Sequence, residues 1–507
     1  VPTPWGEYKG GYWPAIPDNE LSQDARIRQD NENLITVNNS SMFPTTGRGF
    51  TKARSEGYAA PLSFDLKLLP SHVDKVLRFV HLEPAVKDVA KLTNDKNFRN
   101  TMAVVDPRAI EEMLTPWLQR VARQTVETRD SKWFKDLDPA ARWLRSSTSA
   151  QAMMLNFLNA IQQITGFAPA IYKVGARPMG RALVQYMKSP RAAHEQIYQA
   201  SSFMRYRNTI LADNMQKAVI DVVLNTSKYG KVKDAAQSHG YIFQKIFQSW
   251  VDNTTWMAAY DNALAKNMNE KEAVRFADST VRETQGSTSA EDISKFEAGP
   301  ATMRLFTMFY SYFNTQANLI TTEAQNIVRS SNGFDRTKKL GYLYMMTYAV
   351  PSFMAELIVR GMKGDLPDDE DDDGTVIDDW MSWYFGSQVR YGTAMVPFIG
   401  QVANSAINAF DDKPYNDKIQ LSPVIGMAET LARTPKTIYE AVADDGDISR
   451  AVKDTLTSLG FMTGLPLGQF GKPLGYAADV IEGDTEIDSP LDPIRGIIAG
   501  PPPADKR

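Results

Sequence analysis

The sequence predicts an all-α fold: an elongated multi-helix assembly with an irregular N-terminal arm and a C-terminal region broken by proline and glycine. Three observations predict it. Apolar residues recur at steps of three and four over long stretches, the spacing of one helix face. Prolines sit where those stretches begin. Between 340 and 481 lie long runs with almost no charge, interrupted by Gly and Pro. Three regions are expected: an extended arm (1–60), a helical domain (61–335), and low-charge helices with an acidic loop and a flexible tail (336–507).

The 507 residues leave room for two or three domains, and 43 % of them are hydrophobic, enough for a sizeable core. There is no cysteine, which excludes disulfides, thiolate metal sites and cysteine nucleophiles. The net charge is −4, unevenly placed. Residues 361–507 hold 25 acidic and 12 basic side chains, a net of −13, and the first 360 carry a net of +9. The two halves therefore suit different surroundings, the basic one nucleic acid or an anionic membrane. No signal peptide is recognisable after Val1, and the opening VPTPWGEY is expected to belong to a longer chain.

The arm is rich in Gly, Pro, Asn and Ser around Trp5, Tyr8, Tyr12 and Trp13. Such a segment lies extended over a partner or over its own domain. Its basic loop, Thr46 to Gly57, offers Arg48, Lys52 and Arg54 to a phosphate, or simply to solvent.

Helical spacing starts after Pro61, with Val73, Val76, Leu77 and Val80, and Pro84, Pro107 and Pro116 mark helix starts. Thr115-Pro116 before WLQRVARQTVE is the clearest of them. Ser149 to Gly175 carries one charge, Lys173, and is broken by Gly166 and Pro169, so a buried hairpin is expected there. Phe243, Ile246, Phe247 and Trp250 form one apolar face, Trp256, Tyr260 and Leu264 another, and the series ends at Gly286.

After Gly299-Pro300 one long helix is expected to Val328. Met303, Phe306, Tyr310, Phe313, Ala317, Ile320, Ala324 and Ile327 share a face that packs on the core or on a second copy. Thr307, Asn314, Gln316 and Thr321 flank it. Ser289 to Asp292 has capping-box spacing upstream. Leu340 to Val359 carries one charge, Glu356, and one proline, Pro351; it is expected as a core helix, and it is also long enough to cross a bilayer. The runs 391–410 and 456–481 pose the same choice.

The residues offer no chemistry. Asp369, Asp371, Asp373 and Gly374 imitate a calcium loop, but Trp380 falls where its bidentate Glu should be. Gly175 to Arg181 has the glycines of a phosphate loop without its Lys or hydroxyl. His72 and His81 have no carboxylate motif beside them. Catalytic residues, metal ligands and cofactors are not expected in this segment.

From Ala277 to Asn318 the sequence resembles the ejected internal virion proteins of tailed bacteriophages and the related large polyvalent protein modules. The matching residues are Ala277, Asp278, Thr284, Gln285, Gly286, Met303, Phe306, Phe309 and Phe313. Gln163, Thr165 and Gly166 match an earlier helical segment. GGYWPAIPD with TGRGFTKAR resembles the module's N-terminal arm, and DTEIDSPLDPIRGIIAG resembles the tail of the internal core protein of autographivirus-type podophages. The resemblance implies a non-enzymatic C-terminal part of a protein stored in the virion above the portal. Such a protein leaves with the DNA and builds a conduit through the periplasm and inner membrane of the host. The implied partners are other ejection and internal core proteins, the portal region, phage DNA, the host membrane and further copies in a homo-oligomer. Two alternatives stay open: a passive domain of a larger phage enzyme, with a lytic transglycosylase or virion RNA polymerase upstream, and a DNA-packing core protein.

Overall fold

In a computed structural model of the protein, the described residues are 2–3, 6–7, 82, 84–123, 138–208, 240–287, 291–295, 297–299, 303–305, 307–308, 310–363, 376–394, 423–443, 448–483, 485, 487 and 489–501. They are all-α, apart from a two-residue antiparallel ladder pairing β1 (Pro2–Thr3) with β2 (Gly6–Glu7). Two compact units divide the chain, Val1–Val126 and Glu127–Arg507.

In the first unit, α1 (84–94) and α3 (Thr115–Arg123) share a small core of Val86, Leu118 and Ala122, and α2 (Lys96–Val105) buries no side chain. Asp95 caps α2 by accepting from the Phe98 amide at 2.9 Å. Thr115 does begin an α-helix, but not a free one. A π-turn, Ala109–Leu114, runs straight into it, and the Thr115 amide bonds to the Ile110 carbonyl. Pro116 explains the widened turn, because it brings no N–H and its ring crowds the carbonyl four residues back.

The second unit starts with α4 (Asp138–Met153), α5 (Phe157–Ile161), α6 (Phe167–Val174), α7 (Ala176–Lys188) and α8 (Pro190–Ala200), then a short α9 (202–208). Its centre is α10 (Ile242–Ala265), which joins the two expected apolar faces in one helix. Every residue from Val251 to Ala259 is buried, so this helix is covered all the way round. Ile246 and Leu264, expected on its apolar faces, are exposed. Next, α11 (Glu270–Thr284) folds back on it through Ala273, Ala277 and Val281, all fully buried. A reciprocal capping box, Asn269 with Glu272, opens α11.

The helix expected from Gly299 is shorter. Met303–Leu305 is a separate 3₁₀ turn, and α12 spans Ser311–Ser330. The face it buries is partly turned: Ile327 is buried as expected, Gln316 and Leu319 are buried beside it, and Phe313 and Ile320 are only half-buried. Tyr310 is the residue before the first turn, and Phe306 and Phe309 lie outside the described residues, as do Ser289 and Ala290 of the expected capping box.

Then α13 (Gly333–Tyr344), a π-turn (Met345–Ala349) and α14 (Val350–Lys363) form one unbroken helix. A π-turn again precedes a proline, Pro351. The chain continues with α15 (Val376–Ala394), α16 (Pro423–Ala443), α17 (Ile448–Thr463), α18 (Leu467–Glu482) and α19 (Asp492–Ala499). The low-charge run 456–481 is a helical hairpin, turned at Gly464, whose φ is 69°. Residues 395–410 and 369–374 lie outside the described residues.

Candidate functional site

Four helices of the second unit meet around α10 through polar groups rather than through apolar side chains alone. Asp252, on the buried turn of α10, is held by Arg207 of α9, with Nε to Oδ2 at 2.7 Å and Nη2 to Oδ1 at 3.3 Å. The same guanidinium donates to the Gly286 carbonyl at 2.8 Å. Gln248 adds a bond to Asp252 Oδ1, also at 2.8 Å. Asp252 is thus a buried charge with a bidentate partner, the arrangement that makes burial tolerable.

Beyond the end of α11, Gln285 donates to the Gly166 carbonyl at 2.9 Å. Gln316 of α12 donates to the Thr284 carbonyl at 3.0 Å. The Thr284 carbonyl closes the C-terminal end of α11, where the helix supplies no partner, and Gly166 is the residue before the first turn of α6. Gly286 lies flat against α12: a Cβ there would stand 3.3 Å from Tyr312 Cα and 3.4 Å from its nitrogen. Two turns back, Asp278 Oδ1 accepts from Ser201 Oγ and from the Trp256 indole, each at 2.7 Å. Asp278, Gln285 and Gly286 therefore join α11 to α9, α10, α12 and the 3₁₀ turn Gln162–Gly166. Of the earlier matching segment, Gly166 is the direct partner of Gln285, and Thr165 bonds back to its own turn through the Gln162 carbonyl.

At the outer edge, Lys173 of α6 reaches Glu283 Oε2 at 2.7 Å and Glu323 Oε1 at 2.5 Å, while Tyr172 donates to Glu323 Oε2 at 3.2 Å. Burial alone would lower the Lys173 pKa; the hydrogen bonds to Glu283 and Glu323 overcome it and leave it raised. Burial, reinforced by Glu323, pushes the Tyr172 phenol up. Burial also raises the Asp278 carboxyl against its two hydrogen bonds and Arg282, and lowers His194 of α8.

A second polar knot lies between α14 and α15. Glu356, the one charge of the Leu340 to Val359 run, takes two bonds from Arg390, at 2.6 and 2.7 Å, and one from Trp383 Nε1 at 2.9 Å. Gln388 donates to Ser352 Oγ at 2.7 Å. Nearby, Phe313 meets Tyr391 edge to face, so this expected face residue does pack across helices.

These groups position helices; they hold no nucleophile beside a base. Among the described residues no three His, Asp or Glu side chains converge on a metal-sized site. Arg48, Lys52 and Arg54 lie outside the described residues. Periodicity alone missed the partners Ser201, Arg207, Asp252, Trp256 and Gln316. The readable signals were an Asp inside an otherwise apolar helix and a Gln on the flank of a striped one. No protein-family model, curated protein or solved structure matches the chain.

Proposed function

We propose that this chain is an internal virion protein of a bacteriophage that leaves the particle with the genome and helps form a conduit for DNA across the host envelope. One observation carries the reading. The helix Gly333–Met362 runs for 30 residues, is apolar enough to cross a membrane, and has only 28 % of its most apolar stretch buried in the fold. At about 1.5 Å per residue it exceeds a hydrocarbon core of about 30 Å. The C-terminal helices agree with it. Met462, Phe470, Leu474, Ile481, Ile494 and Ile497 are all at least half exposed, apolar side chains open to a partner or to lipid. A protein with a folded state in the particle and a second one in the envelope accounts for both.

Glu356 fits the same reading. A lone carboxylate in hydrocarbon is costly, whereas a carboxylate that brings Arg390 with it is paired. Flotation of the full chain with lipid vesicles tests the proposal. Co-flotation that resists high salt and protects 333–362 from proteolysis is expected; protein left at the bottom of the gradient, alone and with other virion proteins, overturns the membrane part. Equal amounts in full and emptied particles overturn the ejection part.

A further inference from the structure

From Pro139 to His194, 56 residues, there is not one Asp or Glu, although the chain has 60 of them in 507. The same stretch holds seven Arg and Lys. At the chain's average frequency about seven acids would be expected. Among the cations, Lys173 is committed to Glu283 and Glu323. Arg177, Arg181 and Lys188, all on α7, and Arg191 at the start of α8 are exposed. Arg181 feels Asp261 at a distance, and none of the four forms an ion pair with a described residue.

Their placement is regular. Arg177, Arg181, Val184 and Lys188 stand at i, i+4, i+7 and i+11, one straight stripe on a helix. From Arg177 to Lys188 the stripe runs about 16 Å at about 1.5 Å per residue. The opposite face, Met179, Ala182 and Tyr186, is buried. A shallow depression of about 470 Å³ follows the stripe, lined by Gly180, Arg181, Val184, Gln185 and Lys188. At Gly180 an added Cβ would meet nothing, so the backbone there is bare to an approaching ligand.

We infer that this face of α7, with Arg191, is a docking surface for the phosphate backbone of double-stranded DNA. Duplex DNA presents about one negative charge per 1.7 Å of axis, so a straight stripe of three cations on a helix with no acid of its own finds several phosphates along its length. Three point cations on one stripe meet phosphates whatever the bases, so the contact is to backbone and independent of sequence. An anionic membrane is the lesser fit: a helix that lies in a lipid surface turns its apolar face outward, and here that face is packed on the core. The inference rests on the ejection reading only for the identity of the polyanion, and the two can fail separately, because vesicle insertion does not use α7.

The test is the anisotropy of a labelled random-sequence duplex titrated with the full chain at several salt concentrations. Replacing Arg177, Arg181 and Lys188 together by Gln is expected to weaken binding at least tenfold and to flatten the log–log salt slope by about 2.7, three contacts at about 0.9 each. A control that removes three other exposed cations, Lys245, Lys271 and Arg275, is expected to leave the slope nearly unchanged. Equal losses in the two variants, an unchanged slope in the first, or a first variant that loses only binding to anionic vesicles would each overturn the assignment. Circular dichroism melts of both variants separate a lost contact from a lost fold.

Discussion

Gln285 closes the end of a 3₁₀ turn more than a hundred residues away, its amide donating to the Gly166 carbonyl at 2.9 Å while the residue itself is 3 % exposed. Replacing it by Ala removes a buried side-chain hydrogen bond between two segments, at a cost of about 0.5–1.5 kcal/mol. Urea denaturation is expected to show a lower midpoint with an unchanged slope. Gln285→Glu should cost more than Ala, since it sets a carboxylate oxygen against that carbonyl.

Asp278 makes a pH-dependent contribution. Its folded pKa lies above the ordinary carboxyl value because of burial, so the native state holds the proton more tightly than the unfolded chain. The stability it adds is therefore present at low pH and lost as pH rises through the folded pKa. Asn at this position keeps an Oδ1 for Ser201 and Trp256. Asp278→Asn is expected to match or exceed the parent Tm at pH 7 and to lose that advantage as pH falls toward 4. Asp278→Ala, with two donors stranded, should be destabilised at both. Thermal melts across that range give the answer.

Lys173 couples three helices through Glu283 and Glu323. Lys173→Met is expected to destabilise by about 1–2 kcal/mol, discounted from the buried-pair range because Glu283 is half exposed. Most of that cost is the stranded Glu323, so Lys173→Met combined with Glu323→Gln should recover part of it. A double-mutant cycle that shows simple additivity would contradict the coupling.

Gly286 touches backbone, which cannot step aside as a side-chain tip can. Gly286→Ala is expected to cost about 1–3 kcal/mol, the range for overpacking a tight site, and Gly180→Ala on open surface should be neutral or slightly stabilising. Comparing the two melts separates close approach from a general effect of removing glycine.

The all-α class was legible because apolar spacing survives wherever a helix buries one side. Register was less so. On α12 the pattern favoured Phe313 and Ile320, yet Gln316 is the residue with no exposure, because its amide is wanted at the Thr284 carbonyl. A polar side chain buried for its hydrogen bonds reads as surface in any apolar tally. On α10, Asp252, Asn253, Thr254 and Thr255 also interrupt the apolar spacing and yet lie at its most covered turn, Asp252 for its bonds to Arg207 and Gln248. The cap of α11 is spelled by Asn269-Glu270-Lys271-Glu272, the N-x-x-E form of a capping box. Partners such as Arg207 for Asp252 are set by tertiary approach and leave no local trace.

That covered turn of α10 has a calorimetric consequence. Exposing apolar area raises the heat capacity of an unfolding chain and exposing polar area lowers it. A core centred on Asp252 to Thr255 and ringed by Gln285, Gln316 and Asp278 puts both kinds of area into water at once. The heat-capacity increment per residue should fall below the ordinary 12–15 cal/mol/K, about 12–15 being the usual range. Its stability curve would then be shallow, and the protein would keep similar strength over a wide span of temperature.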